Sequence, residues 1–362
     1  MSIVVIRGGL QTSVQDAGAE GWGRFGVPER GALDVVSLRL ANMLVGNPPD
    51  AAALEMTLDG PHLLFERAAR IAICGAEMPA ETEAHESRAN TASARTASAS
   101  TASTSAAATS AAATSTASAS TAPVTTAIAR PVPAWRAVDV GAGTLLRLGR
   151  ATAGVRAYLA IAGGIDVPVV LGCRSTHLRA GFGGFEGRAL AAGDRLAVGD
   201  TPNIEIAEGA VRPARWTIGP DERTPTDDVQ VVRAIASSGA MLDLSASGEL
   251  TVGAAADRMG VRFIESLGPH ALAITSEPAM IGAVQLPPDG RPIVLLAEHQ
   301  TTGGYPVVAH VASVDLPRLG QLRPGSRVRF ESIDLESARR LLVRREENLR
   351  RLSRWIELQT GS

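Results

Sequence analysis

Short runs in which every second residue is apolar recur along this chain, separated by turns that carry Gly or Pro. GAGTLLRLG (141–149), AAGDRLAVG (191–199) and RPGSRVRFE (323–331) share one form, a Gly-bearing turn followed by alternation with a period of two. That period places successive side chains on opposite faces of an extended strand, so the pattern predicts a mainly β protein. Two longer stretches, RAYLAIAGGIDVPVVLG (156–172) and RPIVLLAEHQTTGGYPVVAHV (291–311), repeat a common order. Each has an apolar strand, a loop with a Gly pair, and a second strand containing Pro-Val-Val. The shared order predicts a duplicated lobe.

Helical periodicity appears twice. LDVVSLRLANMLVGN (33–47) puts Val36, Leu40, Met43 and Leu44 on one face, with Asp34 as N-cap and Gly46 near the end. ESARRLLVRREENLRRLSRWIELQ (336–359) puts Ala338, Leu341, Leu342, Leu349, Leu352 and Ile356 on a stripe and arginines opposite. That stripe fits packing on its own domain or on a partner. The expected organisation is a first lobe at 1–205, a second at 206–335, and a C-terminal helix and tail at 336–362. The seam falls near 200–218.

Residues 91–122 are Ala, Ser and Thr apart from Arg95. Such a tract has too few large apolar groups to offset its ordering entropy, so disorder is expected. Strand-like sequence on both sides places it at a hairpin tip, about 82–127, where a long insertion costs little loop-closure entropy.

Composition narrows the chemistry. A hydrophobic fraction of 45%, a charged fraction of 20% and a net charge of -2 describe a globular chain with no basic footprint for nucleic acid. All 35 basic residues are arginine. A guanidinium stays protonated, which excludes a Schiff-base lysine, a Walker-A lysine and lysine-linked biotin on this chain. ATP or carboxybiotin chemistry would come from another chain. Two cysteines, Cys74 and Cys173, fit a reducing compartment rather than a disulfide framework. The absence of a signal-like start or a long apolar span gives a cytoplasmic expectation. No nucleophile elbow, H-E-x-x-H or dinucleotide fingerprint occurs, and the histidines show no metal-ligand spacing.

Three polar segments stand out. In AEHQTTGGYP (297–306), Glu298, His299, Gln300, Thr301, Thr302 and Tyr305 emerge after an apolar strand, and Gly303 and Gly304 permit backbone shapes closed to other residues and close approach to the main chain. A ligand site or a hydrogen-bonded turn would both use such residues. In GAVQLPPDG (282–290), Gln285 points away from the face of Val284 and Leu286, and Asp289 sits in a tight turn. In AADRMGVRF (255–263), Asp257 and Arg258 read either as an anion clamp or as a local ion pair. His299 alone has a setting that suggests acid–base work. At the N-terminus, Gln15, Asp16 and Asp34 lie in a Gly-dense segment that reads equally as turns.

Taken together, GLQTSVQDAG, GVPERGALD, LRLANMLVGN, AALEMTLDGP, YLAIAGGIDVPVVLGCRST, GFGGFEGRAL, DRMGVR, GAVQLPPDG and AEHQTTGGYP resemble the allophanate hydrolase subunit 2 family. These are Kip-type proteins related to biotin-dependent carboxyltransferases, and the chain looks most like the members that form the C subunit of 5-oxoprolinase. The resemblance spans nearly the whole chain outside 82–127, the region around 200–250 and the tail. It implies two cyclophilin-like β-barrel lobes and, as partners, the A and B subunits of a 5-oxoprolinase. It implies no cofactor on this chain, with ATP used by the A subunit. The implied reaction opens the lactam of 5-oxoproline to glutamate. On this reading Asp257 or His299 is the base for water, and Arg258 holds a carboxylate or phosphoryl group. Gln285, Thr301, Thr302 and the amides of Gly303 and Gly304 surround the carbonyl oxygen, with Asp289, Gln300 and Tyr305 nearby. The same family implies two alternatives, a carboxyltransferase acting on urea with carboxybiotin and a non-enzymatic regulatory antagonist.

Overall fold

The computed structural model describes residues 2–84, 129–201, 203–227, 229–237, 243–268 and 275–360. The chain is mostly β with few helices. Its first half forms two six-stranded antiparallel sheets. One runs Arg195–Ala197, Ser2–Arg7, His62–Phe65, Thr144–Leu148, Ala80–Ala84, Arg130–Pro131. The other runs Val211–Pro213, Ala137–Val140, Ala69–Glu77, Ala153–Ile161, Ala53–Thr57, Gln11–Gln15. Alternate residues of both, among them Ile3, Val5, Leu63, Phe65, Leu54, Ile71 and Leu159, meet in one core. The strand Ala153–Ile161 is buried on both faces, which explains why it is apolar apart from Arg156. Ala157, Leu159 and Ile161 face the core, while Tyr158 and Ala160 face a covering layer.

That layer contains the helix Val35–Val45, capped by Asp34 through Ser37 N at 3.0 Å and ended by Gly46 at φ 82°. The C-terminal helix Leu335–Thr360 returns to the same layer. Leu349, Leu352 and Ile356 pack with Val36 and Met43, and Arg39 pairs with Glu346 at 2.8 Å. The apolar stripe read from the sequence thus lies against the first half of the chain.

The second half is built on a seven-stranded sheet, Glu249–Thr251, Arg327–Ser332, Val229–Ala236, Val307–Val311, Ala283–Gln285, Ile293–Leu295, Gly260–Arg262, with a two-stranded pair of Glu277–Pro278 and Thr302–Gly303 beside it. A bridge between Val252 and Phe263 joins its first and last strands, so the sheet curls closed around Val232, Leu250, Val284, Val294 and Phe330.

Three expectations change. The Pro-Val-Val stretch forms a strand at Val307–Val311 but not at 168–170, where Leu171 at φ 48° and Gly172 at φ 84° turn the chain back after an isolated Val170–Cys173 bridge. The two halves therefore share segments without sharing sheet topology. Val211–Pro213 still pairs with Val138–Val140, so the first sheet holds the chain past the expected boundary at 205. Third, Gly303 and Gly304 do not take left-handed φ values. The Ala/Ser/Thr tract lies outside the described residues, and its flanks Ala80–Ala84 and Arg130–Pro131 are antiparallel neighbours, as a hairpin-tip insertion requires.

Candidate functional site

Charges are buried where the two halves meet. Glu55 stands between Leu54 and Met56 in an otherwise apolar strand, 2% exposed. An isolated carboxylate there would be untenable. Its Oε1 accepts from Arg258 Nη1, and its Oε2 accepts from Tyr158 Oη at 2.7 Å and Leu33 N at 3.1 Å. Arg156 Nε lies 3.7 Å from the same carboxylate. Burial pushes the Glu55 carboxyl up, but Arg258 and Arg156 outweigh it and hold the group below its ordinary value. Arg258 also donates from Nε to Glu298 Oε1 at 2.5 Å and from Nη2 to Gly31 O at 2.7 Å. Two carboxylates and two guanidinium groups thus bridge the halves. Gln321 adds neutral links, accepting from Val155 N and Arg156 N at 3.0 Å and donating to Asp34 Oδ2 at 2.7 Å. With no cation on it, Asp34 is driven up by burial despite its hydrogen bonds.

Above this network lies a cavity of about 650 Å³, lined from the first half by Gln11, Thr57 and Arg179 and from the second by Asp257, Arg258 and Glu298. The second Glu298 oxygen is 3.6 Å from His177 Nδ1. That nitrogen accepts from Ala180 N at 3.2 Å. Burial holds the His177 ring below its ordinary value, Glu298 pulls upward, and Arg30 and Arg258 add to the lowering. His177 is therefore a neutral neighbour, and Glu298 Oε2 has no strong donor among the described residues.

A second, uncharged cluster is built from Gln285 and the residues that follow Glu298 in the chain. Gln285, 2% exposed, accepts from Gln300 Nε2 at 3.3 Å. A Cβ on Gly303 would come within 2.6 Å of Gln285 Nε2, so this Gly is needed for space rather than for backbone freedom. His299 is buried, with Nδ1 2.6 Å from Gln300 O. A carbonyl only accepts, so Nδ1 carries a proton. Nε2 is buried without a hydrogen-bond partner among the described residues.

The structure sorts the expected site residues into three groups. Asp257 and Arg258 line the cavity beside Glu298. Asp257 uses Oδ1 to hold Met259 N and Gly260 N at 2.8 and 3.2 Å and is exposed. Arg258 is corrected from anion clamp to inter-lobe tie, because Nε and both terminal nitrogens are engaged by the protein. Gln285, His299, Gln300 and Gly303 form the uncharged cluster and do not line the cavity. Thr301 presents its carbonyl to Ala279 N, Thr302 and Gly303 pair with Glu277–Pro278, and Tyr305 is exposed beyond the half-buried Gly304. Asp289 stands apart in an exposed turn, accepting from Arg291 N at 3.1 Å. In the first half, Asp16 is satisfied by Ser175 Oγ, Arg174 N and Gly18 N, and Gln15 donates to Thr176 O at 3.1 Å. Sequence reasoning misses Glu55, Arg156, Tyr158 and His177. A lone charge inside an apolar strand is the available signal for Glu55 and Arg156.

Among the described residues no group of three or more His, Cys, Asp or Glu is placed to hold a metal ion. No described helix is long and apolar enough to cross a membrane.

A family model described as carboxyltransferase domain, subdomain A and B, matches residues 25–113 and 99–332. The chain belongs to this carboxyltransferase domain family. It is 32% identical over 359 residues to the C subunit of 5-oxoprolinase from Haemophilus influenzae, covering 96% of each protein. The corresponding C subunit from Escherichia coli is 32% identical over 342 residues, at 92% of each. Urea amidolyase of Saccharomyces cerevisiae is 27% identical across 92% of this chain, which corresponds to 17% of that enzyme. Among solved structures, Kluyveromyces lactis urea carboxylase superposes with a TM-score of 0.74 at 25% identity, over 96% of this chain and 29% of that one. The crystal structure of TTHA0988 superposes with a TM-score of 0.70 at 31% identity, and the chain spans 56% of the length of that protein.

Proposed function

We propose that this chain is the C subunit of an ATP-dependent 5-oxoprolinase and that the inter-lobe cavity receives the lactam once a partner chain has activated it. The observation that carries this reading is the match to two 5-oxoprolinase C subunits along 96% and 92% of their length. The urea amidolyase of Saccharomyces cerevisiae is less similar to this chain, at 27% identity. The absence of lysine supports assigning ATP to the A subunit, with the B subunit serving as second partner.

A lactam carbonyl is a poor electrophile because the nitrogen lone pair feeds it. Phosphoryl transfer from ATP to its oxygen, on the partner, removes that protection. Water then adds to the ring carbon and gives up a proton to a base. The C–N bond opens as nitrogen gains a proton, and hydrolytic loss of phosphate leaves glutamate. The base on this reading is Glu298, supported by the hold of Arg258 on one oxygen while the other has no strong donor among the described residues. Asp257 is the second carboxylate facing the same space. His299 lies outside this cavity lining, its ring held through Nδ1 by the main-chain carbonyl of Gln300.

The test is 5-oxoproline-dependent ATP hydrolysis and glutamate formation by this chain mixed with its A and B partners, with each omitted in turn. All three are expected to be required. An unchanged rate without this chain would refute the assignment.

A further inference from the structure

The loop after strand Ala153–Ile161 places one more cation at the cavity. His177 and Phe182 form a bridge with His177 N donating to Phe182 O at 2.9 Å, and Gly181 N returns to His177 O at 2.9 Å. The base of this tight turn is pinned. The His177 ring is buried and lies 5.3 Å from Phe182, which carries Arg30 over its face at 4.9 Å. Gly183 at φ 71° allows an approach to Ser175 O that a Cβ would block at 2.4 Å. Leu178 and Arg179 are thereby presented to the cavity from the first half of the chain.

Three arginines line that cavity, and their situations differ. Arg258 is engaged by Glu298, Glu55 and Gly31 O. Arg156 gives Nη1 to Gly320 O at 2.6 Å and sits beside Glu55. Arg179 is exposed, forms no ion pair among the described residues, and rests its Nη1 against Met259 Sδ. A thioether is a weak acceptor, so the five-donor guanidinium fork is left without a strong partner. Of the cavity's carboxylates, Glu298 is tied to Arg258, and Asp257 is held by the amides of its own turn. A planar guanidinium free at the rim of a small polar cavity matches an incoming carboxylate in bidentate fashion.

We infer that Arg179 receives the carboxylate of the substrate, so that the site selects small cyclic amides bearing an acid group over neutral amides such as urea. This rests on the reading of the cavity given above. It transfers to Arg179 the anion-binding role that the sequence suggested for Arg258.

The experiment compares the reconstituted three-component enzyme carrying wild-type chain, Arg179→Gln or Arg179→Lys in 5-oxoproline titrations. Because Arg179 is exposed, its replacement leaves the fold intact, which a thermal melt verifies. Losing a charged hydrogen-bonded contact should raise KM for 5-oxoproline by about ten- to a hundredfold with kcat close to wild type. The lysine variant should fall between, since it keeps the charge but loses the fork. An unchanged KM in Arg179→Gln, whatever happens to kcat, overturns this inference and leaves the functional reading standing. Absence of 5-oxoproline-dependent turnover by the wild-type assembly overturns the functional reading itself.

Discussion

The charged network under the cavity and the amide cluster behind it differ in how the protein holds them. Glu55, Arg156, Arg258 and Glu298 are gripped from both halves of the chain, and each charge is matched by an opposite one. Gln285, His299, Gln300 and Gly303 come from the second half alone and are neutral apart from the titratable ring. Buried charge needs partners to be tolerated, so the first region fixes how the halves sit together. Buried amides need only local hydrogen bonds, so the second can be tuned without disturbing the junction. The most conspicuous arginine near the site is thus fully engaged by the protein, and the proposed reading gives the chemistry to groups left incompletely satisfied around it.

Breaking the first region should have the largest effect. Arg258→Met leaves Glu55 and Glu298 buried with their shared partner gone, and a loss of about 3–5 kcal/mol is expected. Urea denaturation of the isolated chain measures it. A loss below about 1 kcal/mol would mean that the network does not hold the halves together.

Glu298→Gln separates the two roles. The amide oxygen still accepts from Arg258 Nε, so the denaturation midpoint should move far less than in Arg258→Met. Glutamate formation should drop about 10²–10⁴-fold if the carboxylate is the base. Asp257→Asn retains the oxygen that caps Met259 and Gly260, and turnover near wild type is expected. Reversed results would exchange the two assignments.

Gly303→Ala sharpens the account of the amide cluster. The added methyl meets Gln285 Nε2 at 2.6 Å and must push that amide off Gln300. Overpacking of this kind costs about 1–2 kcal/mol, and the flexible end of Gln285 keeps it at the low end. The sharper readout is activity. A reduced kcat with a nearly normal melting curve would tie the cluster to turnover, whereas wild-type kinetics would make it a structural turn.

Much of this architecture was legible in the sequence. Alternation and Gly turns predicted the strands Thr144–Leu148, Arg195–Ala197 and Arg327–Ser332, and Asp34 was readable as a cap because its side chain acts locally. The site was only half legible. Gln285 could be placed from its neighbours Val284 and Leu286, since strand alternation is a local rule. The partners of Arg258 could not, because Glu55 is 203 positions away and nothing local specifies that pairing. Adjacent Asp257 and Arg258 looked like a unit, yet the turn before the strand Gly260–Arg262 leaves one exposed and buries the other in the junction. Arg179 carried no signal, as its significance lies in what it fails to touch.

The smallest expected effect concerns His177, where the first half of the chain touches Glu298. Burial lowers the native value of the ring, helped by Arg30 and Arg258 and opposed by Glu298. An unfolded histidine titrates near about 6.5. As pH falls below that value the unfolded chain takes up the proton first, so stability declines from about pH 6.5 downward until the native ring also protonates. Glu55, whose native value is also lowered, contributes its own loss only below the ordinary glutamate range near about 4.3. His310 is lowered by burial, and His62 by burial with Arg147 and Arg7, so each adds a slope of the same sign. His177→Gln should therefore flatten, without abolishing, the fall in denaturation midpoint between about pH 7 and pH 5.5. A slope identical to wild type would place the acid sensitivity in His310 and His62 and remove His177 as a neutral spacer beside Glu298.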